Sequence, residues 1–244
     1  MKFFKIFVIG FLLIGTGSIS SCKKELADPV AEVEDLSNAA YLKVYNAAIN
    51  TSRNHVFIDN SKITGTALAT AGVFPSGAFY SALESGSRTL VMRDTLATTT
   101  QNVISLLRDF EKGKYYTLFL YDSTNAVKQK IVEDNLEPPT PGTARIRFAN
   151  FIFSSSAIPN VDVYSFNKGT NVFTNISPTT VTDFVSYTAG VADSLFIRPT
   201  GTTTNLAKLS TTPAANRSYT YVFRGQYQAS TGTLARTLSS FLSY

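Results

Sequence analysis

Two residues with reactive side chains occur only once in this chain of 244 residues, namely Cys22 and His55. A single Cys excludes an intramolecular disulfide and every paired-cysteine metal or redox motif. A single His excludes a multi-histidine metal site within one chain. As a general base, His55 would need a nucleophile and an orienting acid, and the sequence has no Gly-x-Ser-x-Gly elbow to supply the nucleophile. We therefore predict that His55 is a surface or rim residue and that the chain is not an enzyme.

Carboxylates are the other candidates for chemistry. Glycoside cleavage needs two acids about 5–10 Å apart in a cleft. The acids considered lie near the ends of predicted strands or in turns, where solvated side chains are common: Glu84, Asp94, Asp109 and Asp183. The segments Asp59-Asn60 and Asp122-Ser123-Thr124-Asn125 are too sparse for a calcium loop and fit turns. We predict no catalytic, metal or cofactor-binding residue and no cofactor.

Aromatic side chains offer a binding function instead. Sugar-binding sandwiches commonly stack sugars on exposed aromatic residues, Trp above all, and this chain has no Trp. Tyr41, Tyr45, Tyr115 and Tyr121 are candidates for a platform on one outer face of a sheet. The alternative is that these rings flank the sheet and cover its edges. A glycan partner and a protein partner therefore both stay open.

The N-terminal residues predict export and anchoring. Lys2 and Lys5 precede the apolar run 6–14, which is typical of a secretory signal peptide and too short to span a bilayer. The segment Ile19-Ser20-Ser21-Cys22 resembles the lipobox of bacterial lipoproteins, in which cleavage precedes an acylated Cys. The resemblance implies a signal peptide over 1–21, lipid attachment at Cys22 and a membrane partner through that lipid.

Residues 22–39 read as a lipidated flexible tether. Positions 23–39 hold two bases and five acids, a net charge of −3. Cys22-Lys23-Lys24-Glu25 resembles the start of lipoproteins from the Bacteroidetes phylum, which implies the outer membrane, on its periplasmic or its exposed side. A plain hydrophilic spacer is the alternative.

The remaining charge is unevenly distributed. Residues 144–244 hold 8 bases and 3 acids. This excess favours either contact with an anionic lipid, polysaccharide or cell-wall polymer, or simply scattered surface charge. No Lys/Arg run or basic helix face is present, so we predict no nucleic-acid partner.

Five blocks recur in the same order at offsets of 103 to 105 residues, which indicates a tandem repeat. The clearest are 42–46 with 146–150, 90–93 with 195–198, and 116–119 with 219–222. The others are Val56-Phe57-Ile58 with Val161-Asp162-Val163, and Phe79 to Gly86 with Phe184 to Gly190. We predict a first repeat over 40–134, a Pro-rich linker over 135–143 and a second repeat over 144–244.

The blocks alternate polar and apolar residues, as strands with one buried face do. Turn signals lie between them, at Gly113, Gly169 and Gly201 among others. Short strands in units of about 100 residues predict an all-β fold of two tandem antiparallel β-sandwich, immunoglobulin-like domains. Residues 102–110 could also form a helical turn, because Val103, Leu106, Leu107 and Phe110 share one helical face, but the repeat favours a strand.

Each copy resembles the bacterial extracytoplasmic "domain of unknown function 4397". The matching motifs are an alternating strand that ends in Asn46 or Asn150, the segment Pro159-Asn160-Val161-Asp162-Val163-Tyr164, and the Gly-Lys-x-Tyr-Thr-Leu-Phe-Leu strand of residues 113–120. The second copy has Asn216-Arg217 where the first has Gly113-Lys114. The resemblance implies a β-sandwich in the cell envelope and no chemistry.

These observations predict a non-enzymatic cell-envelope lipoprotein that presents two β-sandwich modules for binding, adhesion or structural interaction. The alternative is a glycan-binding module of a polysaccharide-uptake system. Three Asp-Ser/Thr sites, at Asp94, Asp122 and Asp193, resemble the O-glycosylation acceptor of Bacteroidetes. In a chain so rich in Ser and Thr, about one such match arises by chance.

Overall fold

Strands form nearly all of the regular structure in the computed structural model, which describes residues 33, 35–50, 53–95, 98 and 101–244. The predicted signal peptide and Cys22 lie outside the described residues. Within the part that is described, no helix is long and apolar enough to cross a membrane.

The first repeat, called the first half below, has nine strands in two sheets among its described residues. The strands are β1 (Ala39–Asn46), β2 (Asn54–Ile58), β3 (Ser61–Lys62), β4 (Val73–Phe74), β5 (Ser81–Glu84), β6 (Gly86–Asp94), β7 (Ile104–Phe110), β8 (Tyr115–Tyr121) and β9 (Lys128–Glu133). Two 3₁₀ turns cover Leu36–Asn38 and Thr124–Ala126. One sheet has the order β4-β1-β8-β9, with β5 also paired to β1, and the other has the order β3-β2-β6-β7.

The second half repeats this arrangement with eight strands. They are β10 (Thr143–Asn150), β11 (Val161–Ser165), β12 (Thr170–Ile176), β13 (Val185–Thr188), β14 (Asp193–Pro199), β15 (Ala207–Thr211), β16 (Ser218–Arg224) and β17 (Thr237–Leu242). The sheet orders are β13-β10-β16-β17 and β12-β11-β14-β15. The all-β sandwich prediction is therefore confirmed, and the strand favoured for residues 102–110 is observed as β7.

One pairing in each half is parallel, whereas the prediction named only antiparallel sheets. Strand β1 runs parallel to β8, and β10 runs parallel to β16. Parallel neighbours need a long crossover connection. Here the chain between them builds the opposite sheet and then returns in the original direction. The parallel partner of β1 or β10 therefore lies about 70 residues further along the chain. Local alternation of polar and apolar residues does not reveal a pairing over this distance.

Each half has its own apolar core between its two sheets. Leu42 and Val44 of β1 face the first core, and Ile146 and Phe148 of β10 face the second. The residues between these core-facing positions were expected to face solvent, and this expectation is wrong for β1. Lys43 and Tyr45 are buried as well, because the outer face of their sheet packs against the second half.

A third apolar cluster joins the two halves. Tyr45 and Phe119 from the first half meet Phe151, Val222 and Phe241 from the second. The rings of Phe119 and Phe151 lie 4.8 Å apart, and those of Tyr45 and Phe241 lie 5.1 Å apart. The two outer sheet faces thus bury each other, and these aromatic contacts fix how the halves meet.

The Asn that ends the first strand of each half has a structural role. The Asn46 side chain donates to the carbonyl of Leu68 and accepts from the amide of Ala48. Asn150 makes the same two kinds of bond, with Ile176 and Ile152. The motif residue therefore satisfies buried backbone groups where the chain leaves the strand.

The turn before the parallel strand uses two different residues for one conformation. Gly113 has a φ of +74° and Asn216 a φ of +59°, and their amides donate to the carbonyls of Ala39 and Thr143, respectively. Asn tolerates this left-handed region better than other residues with a side chain. The missing Gly of the second copy is thus replaced without changing the turn.

Candidate functional site

An aromatic groove opens where the first half meets Leu136 of the predicted linker and Tyr244 of the second half. Its volume is about 370 Å³. We define the aromatic groove by its lining residues, which are Tyr41, Ala78, Phe79, Tyr80, Tyr115, Leu136 and Tyr244. Every one of these side chains is uncharged, and five of the seven carry an aromatic ring.

Strand register creates the centre of the groove. Tyr41 of β1 and Tyr115 of β8 are register partners in the parallel pair. Partners in neighbouring strands point to the same face of a sheet. Their rings consequently stack at 4.6 Å with an interplanar angle of 14°, and both remain partly exposed. Tyr80 meets Tyr115 edge to face at 5.2 Å.

The loop 75–80, which leads into β5, forms one wall. Phe79 in this loop is 73% exposed. Gly77 has a φ of +66°, and its carbonyl accepts a 2.6 Å hydrogen bond from Lys43 Nζ. Tyr80 Oη donates to Asp134 Oδ2 at 2.7 Å. The buried side chains of Lys43 and Asp134 thus fix the loop on both sides of Phe79.

Buried charges support the groove from beneath. Arg147 Nη1 and Asp134 Oδ1 lie 2.6 Å apart, and both side chains are almost wholly inaccessible to solvent. Arg147 also donates to Thr117 and Thr220, one in each half. Because Asp134 contacts both Arg147 and Tyr80, the ion pair links the packing of the halves to the position of the groove wall.

Burial changes the acidity of two groups next to the groove. Removal from water lowers the pKa of Lys43 to about 8, although the nearby Asp134 carboxylate favours the charged form. Burial, together with the charge of Asp134, raises the pKa of Tyr80 well above its usual range. Tyr80 therefore stays protonated and acts as a hydrogen-bond donor at physiological pH.

The four tyrosines proposed from the sequence are only partly brought together. Tyr41 and Tyr115 form the centre of the groove. Tyr45 is 1% exposed in the cluster between the halves, so its assignment to an outer platform is wrong. Tyr121 lies against Phe151 and lines a different cavity of about 360 Å³.

The remaining lining residues were missed by sequence reasoning. Phe79 and Tyr80 were noted only as part of a repeat block, and Leu136 lies in the predicted linker. Tyr244 comes into range only when the halves pack together. The one available signal was the Phe-Tyr pair in a turn after Pro75-Ser76-Gly77, where large apolar residues are uncommon.

His55 has no catalytic partners among the described residues. Its Nδ1 lies 2.9 Å from Thr64 Oγ1, and its ring meets the edge of Phe57. The pKa of His55 is lowered, mainly by burial and then by the neighbouring positive charges of Lys62 and Arg93. An orienting acid would raise this pKa, and no acid is among the groups that shift it.

The candidate acids do not converge either. Glu84 pairs with Arg88, and Asp94 pairs with Arg53. Asp109 lies exposed on β7, and Asp183 lines a separate polar cavity with Arg145 and Phe184. No group of three or more His, Cys, Asp or Glu side chains suited to a metal ion occurs in the described part of the chain.

Two carboxylates of the second half stabilise turns. Asp162 accepts hydrogen bonds from Asn171, Thr200 and the amide of Asn175. Asp193 accepts from Ser165 and Tyr187 and from the amides of Asn167 and Ser194. The acidic residue of one Asp-Ser motif is thus already buried in a structural network.

Comparison with known proteins assigns the family. A family model, "Domain of unknown function (DUF4397)", matches residues 40–164. The chain belongs to the DUF4397 family. In this DUF4397 protein the match begins at the second residue of β1, continues through β10 and ends within β11. No curated protein sequence matches the chain.

Two solved structures resemble this DUF4397 protein weakly. One is a family 26 carbohydrate-binding module from Eubacterium rectale Amy13K in complex with maltoheptaose, at 10% identity and a TM-score of 0.25. The other comes from family 41 carbohydrate-binding modules of streptococcal virulence factors, at 10% identity and a TM-score of 0.26. Each alignment covers 82% of this chain and 96% of the other. TM-scores this low do not establish a shared arrangement of strands.

Proposed function

We propose that this protein is a non-catalytic, carbohydrate-binding lipoprotein of the cell envelope, and that the aromatic groove holds a neutral sugar chain. The observation that carries the proposal is the set of accessible rings from Tyr41, Phe79 and Tyr115 in one concave site. Ligand sites are concave, mostly apolar and supplied with a few polar groups. Tyr combines an apolar ring with a hydroxyl, which suits the alternating CH and OH faces of a sugar.

The rigidity of the groove supports binding. Tyr41 and Tyr115 lie on paired strands, and the loop 75–80 is fixed through Lys43 and Asp134. Preorganised side chains lose little freedom when a ligand binds. The lining side chains carry no charge, which favours a neutral chain over an acidic one.

A binding role fits the chemistry of the groove better than catalysis does. Hydrolysis of a glycosidic bond needs an acid and a base flanking it. No side chain in the described lining is a carboxylate or a His. Lys43 is committed to the carbonyl of Gly77, and Tyr80 is committed to Asp134.

Cell-envelope anchoring is the part of the proposal that depends on the sequence motif. An acylated Cys22 followed by an acidic tether would hold the groove away from the bilayer. Radioactive palmitate should label the wild-type protein in the native host and should leave a Cys22→Ala variant unlabelled. Equal labelling of both proteins would contradict lipid attachment at this position.

Glycan binding is tested by calorimetric titration with soluble neutral polysaccharides: starch, mannan, xyloglucan and mixed-linkage glucan. Phe79→Ala and Tyr115→Ala should each weaken binding about tenfold or more, because each removes an aromatic face of the groove. Leu107→Ala is the control, since Leu107 is 70% exposed but lies on β7, in the sheet that does not contribute to the groove. Binding that survives both groove variants, or no binding to any of the four polymers, would contradict the proposal.

A further inference from the structure

A second surface combines aromatic rings with uncompensated positive charge. It is the outer face of the sheet β12-β11-β14-β15. We define the basic face by five residues: Tyr164, Phe166, Phe196, Arg198 and Lys208. Phe166 and Lys208 are exposed, and the other three side chains are partly exposed.

Strand alternation explains why these residues share one face. Leu195 and Ile197 of β14 point into the second core, so Phe196 and Arg198 point outward. Tyr164 of β11 and Lys208 of β15 are the register partners of Phe196 on its two sides. A row of tyrosine, phenylalanine and lysine therefore crosses three adjacent strands.

The rings hold the cations in place. The Arg198 guanidinium lies 3.7 Å from the centre of the Tyr164 ring and 5.7 Å from that of Phe196. Arg198 Nε also donates to Asn205 Oδ1 at 2.8 Å. Lys208 Nζ lies 5.5 Å from the Phe196 ring centre. Phe166 meets Phe196 edge to face at 6.5 Å, which widens the apolar part of the surface.

The acids of the second half do not neutralise these cations. Residues 144–244 contain only three, namely Asp162, Asp183 and Asp193. Asp162 and Asp193 are buried in their turn networks, and Asp183 lies in the polar cavity with Arg145. Within the described residues, neither Arg198 nor Lys208 forms a salt bridge. The carboxylate on this face is Asp162, the register partner of Arg198, and it is buried and accepts hydrogen bonds from Asn171, Asn175 and Thr200 instead of forming a salt bridge.

We infer that the basic face is a second binding site, which takes an acidic polysaccharide whose carboxylates pair with Arg198 and Lys208 while its sugar rings lie on Tyr164 and Phe196. Arg and Lys flanking accessible rings match a polymer that alternates a charged group with an apolar sugar face. A row of side chains across three strands suits an extended chain. A bilayer surface would instead be met by protruding tips, and Phe166 is the only one of the five residues that is exposed at a turn.

The first half supplies a matched control. Arg93 corresponds to Arg198 at the repeat offset of 105, and its guanidinium also lies over a ring, that of Phe57, at 4.4 Å. At the positions of Phe196 and Lys208, however, the first half has Val91 and Ser105. One cation over one ring is thus present in both halves, but the row across the strands is present only in the second.

The test uses affinity electrophoresis of the full chain through gels that contain polygalacturonate, alginate or fully methyl-esterified polygalacturonate. We expect retardation by the two acidic polymers at about 0.05 M NaCl, weaker at about 0.3 M, and none by the esterified polymer. The double variant Arg198→Gln/Lys208→Gln should bind about tenfold more weakly. Phe196→Ala should also weaken binding, and Arg93→Gln should not. Phe79→Ala, which tests the aromatic groove, should leave binding to the acidic polymers unchanged.

Three outcomes would overturn the inference. The first is no retardation by either acidic polymer at low salt. The second is an equal effect of Arg93→Gln and Arg198→Gln, which would indicate a response to net charge alone. The third is binding to phosphatidylglycerol vesicles that the double variant abolishes while binding to the polymers persists, which would assign the face to a lipid surface.

Discussion

Lys43 and Arg147 occupy equivalent positions in the two halves but make different contacts. They lie 104 positions apart, on β1 and β10, and both project from the sheet face that meets the other half. Lys43 donates to a carbonyl in a loop of its own half, whereas Arg147 pairs with Asp134 and reaches threonines in both halves. A lysine is a single point charge, and an arginine offers a planar fork of donors. The arginine therefore joins the halves, and the lysine positions one wall of the groove.

The largest effect should come from removing the acid of the cross-half network. Asp134→Ala leaves the Arg147 charge buried without its partner, which typically costs about 3–5 kcal/mol. Tyr80 and Thr117 would lose an acceptor as well. Urea unfolding of the variant measures the loss.

Glu133→Ala is the control for Asp134→Ala because it removes the adjacent acid from a half-exposed pair with Lys114. Its cost should stay below about 1 kcal/mol. Equal losses of stability in the two variants would show that Asp134 does not join the halves in the way described.

A smaller effect should appear in the pH dependence of stability. The folded protein holds Lys43 at a pKa of about 8, below the ordinary lysine value of 10.5. Between these pH values the unfolded chain binds more protons, so the contribution of Lys43 to stability rises with pH. Below about pH 8 the buried charge is destabilising.

The variant Lys43→Met isolates this contribution. From pH 7 to pH 10, wild-type stability should rise relative to that of Lys43→Met by on the order of 2 kcal/mol. Urea unfolding at several pH values measures the difference between the two proteins. If the stabilities of the two proteins changed with pH in parallel, the burial of the Lys43 charge would be contradicted. If wild-type stability fell relative to that of the variant, the pKa of Lys43 would be raised by folding instead of lowered.

The smallest effect concerns the equivalent turns. Gly113→Ala places a Cβ at a φ of +74° and should cost about 1–2 kcal/mol. Asn216→Gly keeps the conformation accessible and should change stability by only a few tenths of a kcal/mol. Thermal unfolding distinguishes these values, and a cost from Asn216→Gly as large as that from Gly113→Ala would show that the two turns are not equivalent.

Local sequence patterns were sufficient for the strands and their turns. The alternation of polar and apolar residues predicted strands β1 and β10. The turns predicted at Gly113, Gly169 and Gly201 are observed, and each of these glycines has a positive φ. The parallel pairs could not be read in this way, because they join segments separated by an entire sheet. The alternation of polar and apolar residues also predicted a solvent-exposed face for Lys43 and Tyr45. A polar or amphipathic residue type does not indicate that a second domain will cover it.

Of the residues that line the aromatic groove, only the central pair, Tyr41 and Tyr115, could be predicted from the sequence. Tyr41 and Tyr115 were recognised as aromatic residues of strands, but their stacking depends on the parallel register. Leu136 and Tyr244 lie far from them in sequence and reach the groove through the packing of the halves. A site assembled at such a junction leaves no local spacing motif.

The most direct test of the central claim is an NMR titration of protein labelled in its Tyr and Phe rings, using the neutral polysaccharide that binds most tightly. Bound sugar should shift the ring resonances of Tyr41, Phe79, Tyr115 and Tyr244. The resonances of Tyr164 and Phe166 on the basic face should remain unchanged. Shifts confined to rings outside the aromatic groove, with those of Tyr41 and Phe79 unmoved, would contradict sugar binding there.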